Sequence, residues 1–305
     1  MAAIPVVVNA KSGPDGAATD ANAIVAAFRK HGLHADVTVL EQGQDIADTV
    51  DRLIANGATQ IVAGGGDGTI NAVAARLIGK PVTLGVLPLG TLNHFARDLG
   101  IPFEIEQAVA IIADDHAFKV DVGQVNDHVF LNNSSLGLYP RIVSERMDAQ
   151  RHLGIGKWPA LIRATMHALR NPASFNAVIL VDGEELQRRT PFIFVGNNAY
   201  VMEGFGIGRR KRLDDGVLSL YVLLPKTTLG FLWLGVRALF GIGSHAKDFD
   251  AFETVDFRVE AESDAIEVAT DGEVNREQTP LSYRIQSRTL RVFAPRAGTA
   301  LEAAA

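Results

Sequence analysis

Residues 64–69 read Gly-Gly-Gly-Asp-Gly-Thr and follow the apolar stretch Ile61-Val62-Ala63 directly. Gly64, Gly65, Gly66 and Gly68 let backbone N–H groups turn inward and wrap an anion. A helix starting after them adds its own unpaired donors. Asp67 is the puzzle in such a loop, because a carboxylate repels bare phosphate. It makes sense beside Mg2+, or against a ribose or substrate hydroxyl. Thr69 can cap the helix and offer a hydroxyl to phosphate. A tight structural turn is the plainer account of the same glycines. The loop is not a Walker A motif, which ends in Gly-Lys-Ser/Thr. Nor is it the dinucleotide fingerprint, which follows the first strand of its fold; this loop follows the third.

A second loop has the same placement. Leu84 to Leu87 reads as a strand, followed by Pro88-Leu89-Gly90-Thr91-Leu92-Asn93 and then a helix. Thr91 and Asn93 are hydrogen-bonding groups for a nucleotide, and a helix cap explains one of them equally well. Asn9, at the end of the first strand, is followed by Lys11, Ser12 and Gly13. Asn9 is a candidate for phosphate or base, and Lys11 for a charge clamp or a solvated loop lysine. Loops that leave neighbouring strand ends of one parallel sheet should face one crevice.

The elements behind these loops alternate. Strands are expected at Ile4–Asn9, Ala35–Leu40, Gln60–Ala63 and Val82–Leu87, with helices at Asp20–His31, Asp45–Asn56, Thr69–Leu77, Asn93–Leu99 and Ile105–Asp114. Short strands unbroken by polar positions suit a parallel sheet covered on both faces. Beyond this half the rhythm becomes all-β. Strands are expected at Phe118–Gln124, His128–Ser134, Phe175–Val181, Arg189–Gly196, Val217–Leu224, Thr254–Glu260, Ile266–Thr270 and Leu290–Phe293. Turn signals lie at Asp182-Gly183, Asp215-Gly216 and Asp271-Gly272. Helical interruptions are expected at Lys157–Leu169 and Thr228–Gly241. The fold class is therefore an α/β first domain with a parallel sheet, over residues 1–125. An all-β sandwich second domain follows over 126–296, and 297–305 form a frayed tail.

The composition narrows the function. Lys and Arg total 29 against 35 Asp and Glu, a net charge of −6, so nothing favours a nucleic-acid partner. There is no cysteine, which excludes disulfides and thiolate metal sites. Met1 to Asn9 reads as a strand rather than a signal peptide, and no apolar run is long enough to span a bilayer. The expected location is cytoplasmic, with any membrane contact peripheral. Arg209-Arg210-Lys211-Arg212 is the one dense basic run. It suits either anionic headgroups or a solvated loop. The flexible, partly apolar Gly204–Gly208 stretch beside it suits a lid or lipid contact. Residues 229–240, around Trp233, are nearly all apolar and fit an interfacial helix or a core helix. The histidines show no metal-binding spacing, and no residue specifies or excludes a homodimer.

Taken in order, Asn9-Ala10-Lys11-Ser12-Gly13, the 64–69 loop, Pro88-Leu89-Gly90-Thr91-Leu92-Asn93, Lys119-Val120-Asp121-Val122-Gly123, Asp215-Gly216 and Asp271-Gly272-Glu273 resemble the diacylglycerol kinase catalytic family. The likeness is to its bacterial soluble lipid kinases, which include relatives acting on sphingoid bases and ceramides. NAD kinases and phosphofructokinases are distant cousins sharing the glycine-Asp loop. The resemblance implies an α/β domain and a β-sandwich domain with the active site between them, ATP against Gly64 to Thr69, and Thr91 and Asn93 beside it. It implies Asp67 and Asp121 in a Mg2+-linked network, and a second metal site at Asp215 and the backbone of Val217. The catalytic set it implies is Asp67, Asp271 and Glu273, with Glu273 as the base for a lipid hydroxyl. By itself Glu273 is also an ordinary hairpin acid, and Asp214-Asp215-Gly216 an ordinary hairpin turn. Where many relatives carry Asp after the Asn of the second loop, this chain has His94. A changed lipid preference, or rearranged surroundings, is the expected result. The function implied is ATP-dependent phosphorylation of diacylglycerol or a related membrane lipid. The alternatives are a ceramide or sphingoid-base kinase, an NAD kinase-like enzyme, and a non-catalytic nucleotide- or lipid-binding regulator.

Overall fold

The computed structural model describes residues 3–10, 20–41, 45–138, 140, 174–200, 210, 212–224 and 249–296. The expected helices at 157–169 and 228–241, the 204–208 stretch, Lys11 and the tail from 297 lie outside the described residues. The chain divides into two compact units. The first runs to Asp121 and resumes at Arg288; the second is Val122–Ser287. Residues 288–296, read from sequence as the end of the second domain, therefore cluster with the first. The cause is the last strand, whose Arg291 and Val292 pair in parallel with Thr83 and Leu84.

The first unit contains β1 (Ile4–Asn9), α1 (Ala21–Lys30), β2 (Ala35–Leu40), α2 (Ile46–Ala55), β3 (Gln60–Gly65), α3 (Asp67–Leu77), β4 (Thr83–Pro88), α4 (His94–Asp98) and α5 (Ile105–Ala113). β5 (Ala117–Val125) leaves it and β16 (Leu281–Phe293) returns to it. The sheet order is β2-β1-β3-β4, all parallel. α1 packs beside α5, and α2 beside α3. Val6, Val7, Val8, Ile61, Val62 and Leu84 are wholly buried, which is why these strands carry no polar alternation. The helices bury their apolar stripes, such as Ile24 and Phe28 of α1 and Ile70, Val73 and Leu77 of α3. α1 and α2 open on the aspartate caps Asp20 and Asp45.

The second unit is antiparallel. One sheet orders β12 (Phe249–Thr254), β11 (Leu218–Leu223), β10 (Phe192–Asn197), β7 (Asn133–Gly137), β14 (Ala265–Thr270) and β15 (Glu273–Gln278). In the other, β16 pairs with β13 (Asp256–Ala261), which pairs with β8 (Phe175–Val181), which pairs with β9 (Glu184–Thr190). Their shared core includes Leu136, Ile179, Val195, Leu220, Phe257 and Tyr283. The Phe257 and Tyr283 rings stack at 4.7 Å. The short strand β6 (His128–Phe130) pairs with the end of β5. The single strand expected at 189–196 is two, β9 and β10, broken at Pro191, which has no N–H for a ladder. That expected at 128–134 is also two, β6 and β7, interrupted at Leu131-Asn132. Asp182-Gly183 and Asp271-Gly272 do form two-residue hairpin turns, each with both residues at positive φ.

Candidate functional site

The parallel sheet brings the ends of β1, β3 and β4 side by side, so Asn9, Gly65 and Pro88 close neighbouring strands. The glycine segment is not a free loop. Gly64 and Gly65 finish β3, Gly66 is the cap residue of α3, and Asp67, Gly68 and Thr69 form its first turn. The Gly66 carbonyl accepts the Ile70 N–H at 3.1 Å, closing that turn. No side chain caps α3. Its first N–H groups are left for an anion, with the positive end of the helix dipole behind them.

The second loop folds against the first. Leu89 N–H bonds to the Gly65 carbonyl at 3.0 Å. A side chain on Gly90 would stand 2.4 Å from the Gly66 Cα, whereas one on Gly66 would meet the Gly90 Cα at 3.5 Å. Backbone thus approaches backbone, and Gly90 in particular leaves no room for a Cβ. Thr91 and His94 are exposed, and Gly66, Asp67 and Gly68 are half-buried. Asn9 is half-buried at the end of β1. This surface of backbone donors and small residues could cradle a phosphorylated ligand.

Three side chains have structural tasks that were not expected. Thr69 does not cap α3; it is buried at the third helical position, and a Cβ on Gly65 would collide with it at 2.5 Å. Asn93 is buried and in the left-handed region at φ 49°. Its Oδ1 accepts the Gly90 N–H at 3.0 Å, and its Nδ2 donates to the carbonyls of Gly90 (2.8 Å) and Pro88 (3.3 Å). Asn93 is therefore a fastener that holds the second loop in shape, turned toward its own backbone. Asp67 Oδ1 accepts the Phe95 N–H at 3.3 Å, so this carboxylate caps α4, which has no side-chain cap from Asn93.

The expected metal ligands Asp121, Asp215 and Val217 each have protein partners. Asp121 is buried, and its Oδ1 accepts the Arg288 N–H at 2.7 Å, at a residue with φ 53°. Asp215 is exposed; it pairs with Arg212 at 2.9 Å and its N–H bonds to Asn198 Oδ1 at 3.0 Å. The Val217 carbonyl accepts the Asn198 N–H at 2.9 Å. Asp215-Gly216 is thus a turn fastened by Asn198, not a strand hairpin. Among the described residues no group of three or more His, Asp or Glu gathers as a cage for a cation. Mg2+ seldom needs one, since it keeps waters and takes phosphate oxygens with one or two carboxylates. Asp67, at the mouth of the phosphate cradle, fits that mode of binding.

Glu273 is exposed as the first residue of β15, directly after the Asp271-Gly272 turn. Asp271 is half-buried and tied to backbone N–H groups. Its Oδ2 accepts the Leu131 N–H at 2.7 Å, and its Oδ1 accepts those of Asn132 (2.9 Å) and Asn133 (3.0 Å). Burial pushes its carboxyl up to about 6, while these donors and the charge of Arg210 pull the other way. The basic run is likewise consumed in part. Arg210 is 4% exposed, and Arg212 is paired with Asp214 and Asp215. Arg209 and Lys211 lie outside the described residues. The sequence reading missed Asn132, Asn197 and Asn198 as structural polar residues; the Asn132-Asn133 and Asn197-Asn198 doublets are the only hint it offers.

Comparison with known proteins bears on these features. Residues 3–125 match the diacylglycerol kinase catalytic domain, and residues 142–294 match the YegS C-terminal NAD kinase beta sandwich-like domain. A Pseudomonas aeruginosa protein named probable lipid kinase YegS-like is 30% identical over 286 residues, 90% of each chain. A Staphylococcus aureus diacylglycerol kinase is 28% identical over 246 residues, 79% of this chain and 76% of that one. A diacylglycerol kinase crystal structure from Bacillus anthracis superposes with a TM-score of 0.67 at 22% identity, covering 97% of both chains. Yeast NADH kinase bound to NADH gives 0.55 at 13% identity, over 97% of this chain and 84% of that one. The fold is that shared by diacylglycerol kinases and NAD kinases. The chain belongs to the diacylglycerol kinase catalytic family, as a phosphotransferase of its YegS-type lipid kinase branch.

Proposed function

We propose that this protein transfers the terminal phosphoryl group of ATP to the hydroxyl of diacylglycerol or a closely related membrane lipid. The observation that carries the nucleotide half is the close approach of Gly66 and Gly90 in front of the uncapped start of α3. Phosphoryl transfer asks mainly for positioning and charge neutralisation. The backbone donors at Gly66 to Thr69 hold phosphate oxygens, Thr91 adds an exposed hydroxyl, and Asn93 keeps the second loop in register. Asn9 closes the same edge of the sheet. Asp67 would hold Mg2+, which when bound neutralises charge on the phosphate oxygens.

The lipid half rests on the family and on Glu273. The lipid oxygen attacks the terminal phosphorus, the bond to the bridging oxygen breaks, ADP leaves, and the Glu273 carboxylate takes the hydroxyl proton. Its exposure at the head of β15 leaves it open to a substrate. Such a substrate is reached at a membrane surface. No helix among the described residues is long and apolar enough to cross a membrane, so the contact proposed is peripheral.

The test is incubation of the purified protein with γ-labelled ATP, Mg2+ and a panel of diacylglycerol, ceramide, sphingosine and NAD. Label in diacylglycerol, lost in Glu273→Gln with ATP binding unchanged, is the expected result. Label in NAD alone would refute the lipid reading, and label in none would refute kinase activity.

A further inference from the structure

Asp271 holds Leu131, Asn132 and Asn133, and Arg210 holds the first two of them. The Asp271 carboxylate takes the N–H groups of Leu131, Asn132 and Asn133, and the Asp271 N–H returns to the Asn133 carbonyl at 2.9 Å. Arg210 Nη1 donates to the Leu131 carbonyl at 2.5 Å and to the Asn197 carbonyl at 3.1 Å. Its Nη2 donates to Asn132 Oδ1 at 2.9 Å. The Tyr200 hydroxyl bonds to the Asn132 carbonyl at 2.9 Å, beneath the Arg210 guanidinium, which lies 5.6 Å from its ring. Asn197 supplies Nδ2 to the Leu131 carbonyl (2.8 Å) and its own N–H to the Asn132 carbonyl (2.9 Å). Both polar backbone groups of each of Leu131, Asn132 and Asn133 thus have a partner distant in sequence. A buried polar network satisfied to this degree is rigid.

Glu273 lies two residues past Asp271, across a turn with φ 48° at Asp271 and 88° at Gly272. We propose that Asp271 is a positioning residue for the Glu273 carboxylate, acting through that turn, with Arg210 as the opposing half of the clamp. This rests on Glu273 being the base, as read above. The β14 ladder to β7 ends at Thr270 opposite Ser134, so the turn itself lies beyond it and can pivot. The bonds from Asp271 to residues 131–133 carry that attachment on to the tip and so fix where Glu273 begins. A shift of about 1 Å in a catalytic group can cost on the order of a hundredfold in rate.

The test uses the full-length protein and three variants. Asp271→Asn keeps Oδ1 for two of the N–H groups but turns an NH2 toward that of Leu131. Asn132→Ala removes only the side-chain acceptor of Arg210. The expected result for Asp271→Asn is a 10- to 100-fold fall in kcat with KM for ATP within twofold. Asn132→Ala should fall in the same way by about 3- to 10-fold. A loss in Asp271→Asn as complete as that in Glu273→Gln, with Asn132→Ala at wild-type kcat, would show that Asp271 takes the proton itself and would overturn the proposal. If Asp271→Asn does not fold, Asn132→Ala decides, and wild-type kcat there overturns it. Glu273→Gln separates the two levels of the argument. Full activity in Glu273→Gln removes the base assignment and the clamp with it. An inactive Glu273→Gln beside fully active Asp271→Asn and Asn132→Ala removes the clamp alone.

Discussion

The carboxylate of Asp67 accepts the backbone N–H of Phe95 at 3.3 Å. One acid of the glycine segment therefore caps the helix that follows the second loop, and the two loops are tied together through it. The same bond places Asp67 beside the peptide that joins His94 to Phe95. The unexplained acid of the Gly-Gly-Gly-Asp-Gly-Thr motif has a structural task as well as the chemical one proposed for it.

These two tasks separate under mutation. Asp67→Asn keeps an amide oxygen for the Phe95 N–H and should keep α4 in place. Its melting temperature should lie within about 1 °C of wild type, an effect of roughly 0.6 kcal/mol for a chain of this size. Turnover should fall by at least about a hundredfold through loss of the negative charge. Asp67→Ala loses both, adding about 1 kcal/mol of destabilisation for the lost cap. Thermal melts with initial rates of lipid phosphorylation check both variants. Full activity in Asp67→Asn would refute the charged role.

The two glycines that touch should not be equivalent. A Cβ at Gly90 would fall 2.4 Å from the Gly66 Cα and 2.8 Å from Asn93 Oδ1. Neither neighbour can move without opening the loop. A Cβ at Gly66 meets nothing nearer than 3.5 Å, at a φ of −84° that any residue adopts. Gly90→Ala should weaken ATP binding by tenfold or more in calorimetry, and Gly66→Ala by clearly less. Equal losses would mean that bound phosphate, rather than the loop contact, limits space at Gly66.

Legibility in the sequence followed the range of the interactions involved. The parallel α/β half was readable because its strands are apolar throughout and its loops carry glycine at strand ends, both local properties. Asp182-Gly183 and Asp271-Gly272 were readable as turns because the positive φ they need is set by the dipeptide itself. The same dipeptide at Asp215-Gly216 misled, because Asn198 captures the Asp215 N–H and the Val217 carbonyl from a distant strand end. Asn93 was legible as a polar residue at the site, but not in direction; its φ of 49° turns the amide onto Gly90 and Pro88. The break at Leu131-Asn132 was not legible at all. It exists for partners as far off in sequence as Asp271 and Arg210, which no local pattern announces.

Asp271 also predicts a pH dependence with a definite sign. Burial lifts its folded-state value to about 6, above the roughly 3.9 of an unfolded chain. The folded protein therefore holds a proton that the unfolded chain gives up between these values. The resulting stabilisation is complete below about pH 4 and is lost as pH rises through about 6. Between pH 5 and pH 7 the wild type should lose about 1 kcal/mol through this group. Asp271→Asn cannot release that proton, so its stability relative to wild type should improve by the same amount over the same interval. Urea melts of both proteins at pH 5, 6 and 7 read the difference directly, since other carboxylates contribute equally to each. A gap that stays constant across the three values would show that the Asp271 carboxyl is already ionised at pH 5, held by its three backbone donors against the effect of burial.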